Sequence, residues 1–215
     1  QLHSMGQQVT LPSMSTHHLW VNACDLLKEE NGHRFYHRGF PIGERGKSTQ
    51  QDIQWNTKTG RLVVAAGFWL EDPDIDAVQR LSHPVRVVDY PRMDNVALAK
   101  DNWCPFNSQN TCITRDILPA YFLSPHAQRF SDIWASYMIN AIAHHLGDVI
   151  RFGRPLVRQN RNPHNFFKDF DAERLGLELS DTFCKILRSV PLSGNNYSNC
   201  AKELLCGVER SLTER

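Results

Sequence analysis

Two overlapping Asp-x-Asp triplets follow the most apolar stretch of the sequence. Asp72, Asp74 and Asp76 alternate in the segment GFWLEDPDIDA, directly after the apolar run 62–70. Alternating carboxylates at the end of a strand are suited to hold a divalent cation on a nucleotide diphosphate. The same carboxylates are suited to begin a helix, because Asp at the N-cap accepts a backbone hydrogen bond. From these residues alone, a metal site and a capped turn both stay open.

The densest basic segment is RFGRPLVRQNRNPHNFFKDFDAE, which begins at Arg151. From Arg151 to Lys168 it contains five Lys or Arg residues and no acid. Arginine is well shaped to bind phosphate, since its planar guanidinium offers paired donors and keeps its charge. The segment predicts an anion site, and a solvated loop with ion pairs to the acids that follow is the alternative. The residues predicted to bind the ligand are Arg158, Arg161, Asn162 and Lys168.

Asp132 and an amide-rich loop are the candidates for contact with hydroxyl groups. In NWCPFNSQN, Asn107 and Asn110 offer both donors and acceptors, which suits a hydroxyl-rich ligand and equally suits loop backbone. Asp132 falls in the first turn of a predicted helix, where the helix dipole favours an acid. A carboxylate in that position is also able to accept a proton from a sugar hydroxyl.

A glycine-rich loop, HRFYHRGFPIGERGK, carries four Lys or Arg residues, among them Arg38 and Arg45. Backbone amides and cations of such a loop can cradle an anion, and a solvated loop is the alternative.

The elements that must position these side chains alternate between helix and strand. Apolar spacing predicts helices over 16–30 and 131–146, and two further helices in the C-terminal tail. RLVVAAGFWL and PVRVVDY are typical of strands, a short strand is predicted at Cys112 to Thr114, and VIRF predicts another. Asp74 or Asp76 is predicted to cap a short helix that begins at Ala77. The pattern indicates the α/β class.

Composition limits the partners. The 215 residues include 24 Lys and Arg against 23 Asp and Glu, which argues against a nucleic-acid surface. The six cysteines form no C-x-x-C pair and are predicted to be free thiols in a reducing, cytoplasmic compartment. We find no run of about 20 apolar residues, so no membrane span is predicted.

Four segments in the same order resemble one family. FYHRGFPIGERG, GFWLEDPDIDA, SDIWASYM and GRPLVRQNRNPHNFFKDFDAE are similar to the reversibly glycosylated polypeptides, which include the UDP-arabinopyranose mutases. The similarity runs over about 35–173. It implies a GT-A-like mixed sheet flanked by helices, with residues 1–173 as the glycosyltransferase-like domain and 174–215 as a helical C-terminal extension packed on it.

The resemblance also implies roles for individual residues. Arg38 matches the Arg of an Arg-Gly-aromatic-Pro motif, and Arg45 is the candidate for the reversibly glycosylated arginine, although Glu44 and Arg45 are in swapped order. Asp132 and Trp134 match an Asp-Asp-x-Trp motif of the acceptor side, with Ser131 in place of the first Asp. His164, beside the Asn-Pro pair, is the metal-ligand candidate. The acidic turn at Asp74 matches a Pro-Asp-x-Asp-Ala turn that is distinct from the family's metal motif.

The predicted function is therefore that of a glycosyltransferase-like protein acting on a nucleoside diphosphate sugar, by sugar transfer or by mutase chemistry. The predicted partners are that donor and a carbohydrate acceptor, and homo-oligomerisation stays open. A divalent metal, Mn or Mg, is implied, with its main ligands, an Asp-Asp-Asp, expected upstream of this chain; the resemblance predicts that the first nucleotide-binding unit is missing from it. The alternative is a catalytically inactive relative that serves as a carbohydrate- or protein-binding module.

Overall fold

The computed structural model describes residues 4–90 and 94–213, whose strands form one mixed sheet flanked by helices. The α/β class that the sequence predicts is confirmed. The strands are β1 (Gln8–Ser15), β2 (Lys28–Glu29), β3 (Gln54–Glu71), β4 (Val87–Asp89), β5 (Val96–Leu98), β6 (Thr111–Ile113) and β7 (Val149–Gln159); the α-helices are α1 (Ala77–Ser82), α2 (Ser131–Leu146), α3 (Phe166–Ser189) and α4 (Tyr197–Thr213).

The long strand β3 organises the sheet. Its first half pairs antiparallel with β1, and its second half pairs in parallel with β7 on one side and antiparallel with β6 on the other. Strand β5 pairs with both β7 and β1, so β1, β3, β7 and β5 form a closed circuit of paired strands. A small apolar cluster of Leu62, Ala97 and Val149 packs where these strands meet.

The main core lies on the other face of β3. Val64, Ala66 and Phe68 belong to one buried cluster with residues of α2, and Phe68 stacks on Phe152 of β7 at 5.8 Å between ring centroids. Because side chains alternate along a strand, Ala65 and Gly67 face away from this core. In this part of β3, at Ala65 and Gly67, the face away from the core therefore has small side chains.

Several predicted elements are confirmed. The helix at Ala77 ends at Ser82, with Asp76 as its N-cap accepting from the Gln79 amide. The strands β3, β4, β6 and β7 include the predicted ones, but β3 begins earlier, at Gln54, and β7 continues beyond VIRF to Gln159. Helix α2 spans the predicted helix, with Gly147 as its C-cap. Ser131 does not cap α2 through its side chain, because Phe130 occupies the N-cap position.

The predicted helix over 16–30 is wrong. That segment contains a bridge from Trp20 to Trp103, a 3₁₀ turn at Ala23–Leu26 and the strand β2. Trp20 is buried among aromatic rings of three other elements, including Trp103 at 6.0 Å and Tyr137 at 5.7 Å. Burial in an extended backbone, rather than a helical stripe, accounts for the apolar residues.

Helix α3 begins earlier than predicted, at Phe166, within the basic segment. Its charged first half lacks an obvious apolar stripe, and Gly176 interrupts the pattern. The glycine is required by packing, because a Cβ at this position would lie 2.0 Å from the Phe130 ring. One continuous helix therefore crosses residues 173 and 174, and the division of the chain into two domains stays a prediction.

Within 4–90 and 94–213 we find no helix with the length and apolarity that crossing a membrane requires. All six cysteines, each of which lies in those ranges, are free thiols as predicted.

Candidate functional site

The site is built around Arg38, which is 5% exposed. Gly39 has a φ of +88°, and a Cβ there would lie 2.2 Å from Ile133, so this turn of the chain requires glycine. Phe40 then packs on Trp20 and Tyr36. The Arg-Gly-aromatic-Pro motif therefore forms a tight turn that packs against α2. This turn fixes the backbone of Arg38.

The Arg38 guanidinium lies between two carboxylates. Its Nε and Nη2 donate to Asp74, with Nη2 at 2.9 Å from Oδ2, and Nη1 and Nη2 each lie 3.2 Å from an oxygen of Asp132. Nη1 also donates to the carbonyl of Arg129. One cation thus joins the acidic turn after β3 to the start of α2.

Asp74 is the centre of this arrangement and is 1% exposed. Besides Arg38, it accepts from Asn107 Nδ2 at 2.6 Å and from Arg161 Nη2 at 3.0 Å. Donors from three separate segments therefore converge on one carboxylate. We call Arg38, Asp74, Asn107, Asp132 and Arg161 the Arg–Asp cluster.

Of the two aspartates predicted to cap α1, Asp74 or Asp76, it is Asp76 that makes the bond, and the carboxylate of Asp74 lies in the cluster. Asp72 accepts from the backbone amide of Arg161. The three alternating aspartates therefore have three different structural roles.

Asp132 lies in the first turn of α2 and is 8% exposed. Its Oδ2 accepts from the backbone amide of Ser108 at 3.1 Å and from the Ser108 hydroxyl at 3.2 Å. The carboxylate therefore has Arg38 on one side and the loop that contains Asn107 on the other.

The charges of the cluster stabilise one another. Burial by itself would raise the pKa of Asp74, but the charge and hydrogen bonds of Arg38, with further contributions from His37 and Arg161, together outweigh burial and hold that pKa well below its usual range. Burial would lower the pKa of Arg38, whereas Asp74 and Asp132 raise it above its ordinary value. Both groups are charged over the physiological range of pH.

Two neighbours of the cluster were missed by the sequence analysis. The Tyr121 hydroxyl is buried without a hydrogen-bond partner, and burial together with nearby Asp132 raises its pKa above its usual range. His37 is 3% exposed and bonds the carbonyl of Arg38 through Nδ1 at 2.7 Å, and burial lowers its pKa. His37 could have been found from the sequence, because it directly precedes the Arg-Gly motif. No sequence pattern indicates a role for Tyr121.

The four arginines of the basic segment have different partners and lie in different parts of the structure. Arg161 joins the Arg–Asp cluster, Arg158 pairs with Glu71 at 2.9 Å, and Arg154 pairs with Asp94. Arg151 is 5% exposed and donates to Asn95. Alternation along β7 and the following turn separates residues that are close in sequence.

The other predicted site residues lie outside the cluster. Arg45 pairs with Asp76 and lies over the Tyr36 ring at 5.5 Å. The Trp134 indole donates to Ser180 of α3 at 3.1 Å, and Asn110 donates to the carbonyl of Phe68 at 2.9 Å. Asn162 and Lys168 are exposed. The structure therefore brings together Arg38, Asn107, Asp132 and Arg161 from the predicted set.

His164 does not lie in a metal-binding group. Its Nδ1 is 3.1 Å from Asp169, and Asp169 is 3.3 Å from Arg129. Across the part of the chain that the structure describes, no three His, Cys, Asp or Glu residues are arranged to hold a metal ion. The described residues do not fit a complete metal centre, and no step below is assigned to a metal.

The arrangement is suited to bind a polar, anionic ligand beside a fixed carboxylate. Among the residues that the structure describes, the buried Nε of Arg161 has no hydrogen-bond partner, and the side chain of Arg158 is 70% exposed. A donor of this kind can bind phosphate oxygens, while Asp132 is able to accept a hydrogen bond from a hydroxyl group.

Comparison with known proteins identifies the family of the chain. The sequence profile described as reversibly glycosylated polypeptide matches residues 54–215. The chain is 26% identical to a probable UDP-arabinopyranose mutase 2 of Solanum tuberosum, over 93% of this chain and 52% of that protein. It is 22% identical to a probable UDP-arabinopyranose mutase 4 of Arabidopsis thaliana, over 95% of this chain and 54% of that protein.

A probable UDP-arabinopyranose mutase 1 of Pisum sativum is 25% identical over 69% of this chain and 41% of its own length. The chain thus spans about half the length of the curated relatives it matches. The profile match covers most of the sequence and includes Asp74, Asn107, Asp132 and Arg161. The chain belongs to the reversibly glycosylated polypeptide family.

Proposed function

We propose that this chain binds a UDP-sugar and takes part in UDP-sugar mutase chemistry. The observation that carries the proposal is the carboxylate of Asp132, fixed at the start of α2 by Arg38 and by both the amide and the hydroxyl of Ser108. Family membership and relatives named as UDP-arabinopyranose mutases support the choice of ligand.

Asp132 is the residue we assign to the sugar. Arg38, Ser108 and the backbone amide of Ile133 hold the carboxylate in one orientation, so a sugar hydroxyl placed against it meets a fixed acceptor. As the hydroxyl reacts, Asp132 accepts its hydrogen bond or its proton. The buried hydroxyl of Tyr121, which has no partner, is a further polar group on this side of the cluster.

Arg161 and Arg158 are the residues we assign to the diphosphate. In a mutase, the diphosphate leaves the anomeric carbon with the bonding electrons and returns after the sugar ring has rearranged. Guanidinium groups stabilise the negative charge on the departing oxygen. Arg158 pairs with Glu71 while its own side chain is 70% exposed, and an ion pair of this exposure is weak.

The test combines binding with product analysis. UDP is titrated into the chain by calorimetry, and UDP-arabinopyranose is incubated with it and analysed by chromatography. We expect UDP binding and a change of ring form. Asp132→Asn should lower the rate by about 100-fold or more, because the general base is lost. Asp116→Asn, which alters an exposed carboxylate paired with Arg61, is the matched control. Absence of both binding and conversion contradicts the proposal.

The second candidate is a catalytically inactive relative that binds a nucleotide-sugar or another carbohydrate. The observation that favours it is the pairing of Arg38 and Asp132 with each other, which leaves these charges satisfied without a ligand. UDP binding without any conversion, unchanged by Asp132→Asn, would select this candidate over mutase chemistry.

A further inference from the structure

A separate cavity of about 240 Å³ lies at the opposite end of α2 from the Arg–Asp cluster. It lies between the C-terminal turns of α2 and α3, with Ala141 and His144 on one side and Leu187 and Arg188 on the other. Because a helix rises about 1.5 Å per residue, Asp132 and His144 lie about 18 Å apart along the axis of α2. The cavity is therefore distinct from the cluster.

Most of the cavity wall is apolar. The apolar residues that line it are Trp103, Ala141, Leu187, Val190 and Leu192. Trp103 is 4% exposed and Leu187 is 1% exposed, so both are firmly packed. The indole of Trp103 meets the imidazole of His144 edge to face, at 6.4 Å between ring centroids. A wall of this kind is suited to the apolar body of a small ligand.

The chain that follows α3 is anchored on both sides of this wall. The Nε2 of His145 donates to the carbonyl of Gly194 at 2.8 Å, and the amide of Gly194 donates to Glu203 of α4 at 3.1 Å. Val190 packs against α4 at Gly207, where a Cβ would lie 2.2 Å from the valine side chain. The fold therefore fixes the wall, and a preformed site binds its ligand at a lower entropic cost.

Arg188 supplies a positive charge at the rim of the cavity. It lies in the last turn of α3 and is exposed. Among the residues that the structure describes, no side chain forms a hydrogen bond or an ion pair with its guanidinium. In contrast, Arg154 and Arg158 each pair with a carboxylate. A planar guanidinium is shaped to bind a carboxylate through two parallel hydrogen bonds.

His144 is the second group of the cavity without a partner. Within 4–90 and 94–213, nothing bonds its Nε2, which is buried. Burial, together with the positive charges of Lys58 and Lys100, lowers the pKa of His144 to about 3, so the imidazole is neutral at physiological pH. A buried polar atom without a partner costs free energy, and a ligand group against this imidazole would recover part of that cost. Because the charges that act on the ring are positive, an anionic ligand is favoured over a cationic one.

We propose that this cavity binds a small carboxylate with an apolar body of about the size of a phenyl ring. The carboxylate lies on Arg188, with one oxygen against the imidazole of His144, and the apolar body lies on Trp103 and Leu187. A volume of about 240 Å³ is below the range of about 300–1,000 Å³ for sites of drug-sized ligands, so the cavity is too small for a nucleotide-sugar.

The experiment is a calorimetric titration of the full chain with benzoate, benzamide and acetate. Benzamide retains the ring without the charge, and acetate retains the charge without the ring. We expect benzoate to bind at least about tenfold more tightly than either, because only benzoate uses both parts of the cavity. Equal affinity for benzoate and acetate would reduce the site to an exposed anion contact, and equal affinity for benzoate and benzamide would remove the role of Arg188. Either result would overturn the proposal, as would no binding of benzoate.

Two variants locate the binding. Arg188→Ala, at an exposed position, should weaken benzoate binding by about tenfold, because the carboxylate loses its cation. Its matched control is Lys185→Ala, which removes the same charge from the preceding turn of α3, outside the cavity, and should leave binding unchanged. Ala141→Leu fills part of the cavity with a residue that helices accept well, and should weaken binding by at least about tenfold. Unchanged affinity in both Arg188→Ala and Ala141→Leu would show that benzoate binds elsewhere and would overturn the proposal.

A third variant, His144→Phe, separates a contact with the ligand from simple packing. Phenylalanine retains a ring beside Trp103 and removes the buried nitrogen without a partner, so thermal unfolding should show no loss of stability. Benzoate binding should nevertheless weaken by about fivefold, because one hydrogen bond to the carboxylate is lost. Unchanged affinity for benzoate in this variant would overturn the assignment of His144 to the ligand.

The outcome is independent of the proposed function. UDP should not compete with benzoate, and Arg188→Ala should bind UDP as the wild-type chain does, since the cavity lies about 18 Å from Asp132 along α2. Competition between UDP and benzoate would mean that the two ligands share one site, and would overturn the proposal of a separate one.

Discussion

The Arg–Asp cluster and the outer end of β7 both contain arginine, but they use it differently. In the cluster, Arg38 is bonded to two carboxylates and a backbone carbonyl of the same chain. On β7, the side chains of Arg154 and Arg158 are exposed, and each pairs with a carboxylate near the surface. The first arrangement fixes geometry, whereas exposed ion pairs of the second kind contribute little to stability. The difference predicts that mutations in the cluster reduce stability most, and that mutations of the exposed arginines change it little.

The largest effect is expected for Asp74→Ala. Its removal leaves the buried guanidinium of Arg38 with one carboxylate and removes the acceptor of Asn107 and Arg161. Breaking a buried ion pair costs about 3–5 kcal/mol. Urea unfolding followed by circular dichroism measures the change. Arg158→Ala, which breaks an exposed pair with Glu71, is the control and should change stability by less than about 1 kcal/mol. Equal effects of the two substitutions would show that the cluster is not the more stabilising region.

The next effect depends on pH. Because the pKa of Asp74 is lower in the folded state than its unfolded value of about 3.9, its contribution is present above that pH and is lost as the pH falls below it. The slope for one such group is at most about 1.4 kcal/mol per pH unit. Asp74→Asn should therefore lose less stability than the wild-type chain between pH 4 and pH 2, measured by urea unfolding at each pH. Asp171→Asn, an exposed carboxylate, should retain the wild-type dependence.

Two side-chain amides of one loop differ in the charge of the group to which they donate. Asn107 donates to the buried carboxylate of Asp74 at 2.6 Å, whereas Asn110 donates to the neutral carbonyl of Phe68 at 2.9 Å. Hydrogen bonds to charged groups contribute about 1.5–3 kcal/mol and those between neutral groups about 1 kcal/mol. Asn107→Ala should therefore destabilise the chain by about 2 kcal/mol and Asn110→Ala by about 1 kcal/mol in thermal unfolding. The reverse order would contradict the comparison.

The same two regions show what the sequence can and cannot predict. Apolar runs and turn residues predicted β3, α1 and α2, because those patterns arise from local geometry and burial. Asp132 and Arg38 were found through motif resemblance, and their contact follows from the tight turn at Gly39. The position of Asp74 at the centre of the Arg–Asp cluster was not predicted, since its partners lie 33 to 87 positions away in the chain and only folding brings them together.

The misplaced helix over 16–30 has a similar cause. Trp20 lies in a helical pattern of apolar residues, but its aromatic partners Phe40, Trp103 and Tyr137 come from distant segments. Tertiary packing of these rings outweighs a local helical preference, which is worth only a fraction of a kcal/mol per residue.

The smallest effect is expected beside the cluster, at Gln128. Its φ of 46° and ψ of −121° are unfavourable for a residue with a side chain. The next residue, Arg129, supplies the carbonyl that accepts from Arg38, so the unfavourable backbone positions an acceptor of the cluster. Gln128→Gly relieves the strain but adds conformational entropy to the unfolded chain, and the net result should be a gain of about 1 kcal/mol in thermal unfolding.

The control for Gln128→Gly is Glu178→Gly, at an exposed position inside α3, where glycine should instead destabilise by about 1 kcal/mol. Opposite signs for the two substitutions identify strain at residue 128 and distinguish it from a general effect of glycine. Loss of stability in both would mean that the backbone at Gln128 carries no strain, and that the Arg129 carbonyl reaches Arg38 at no conformational cost.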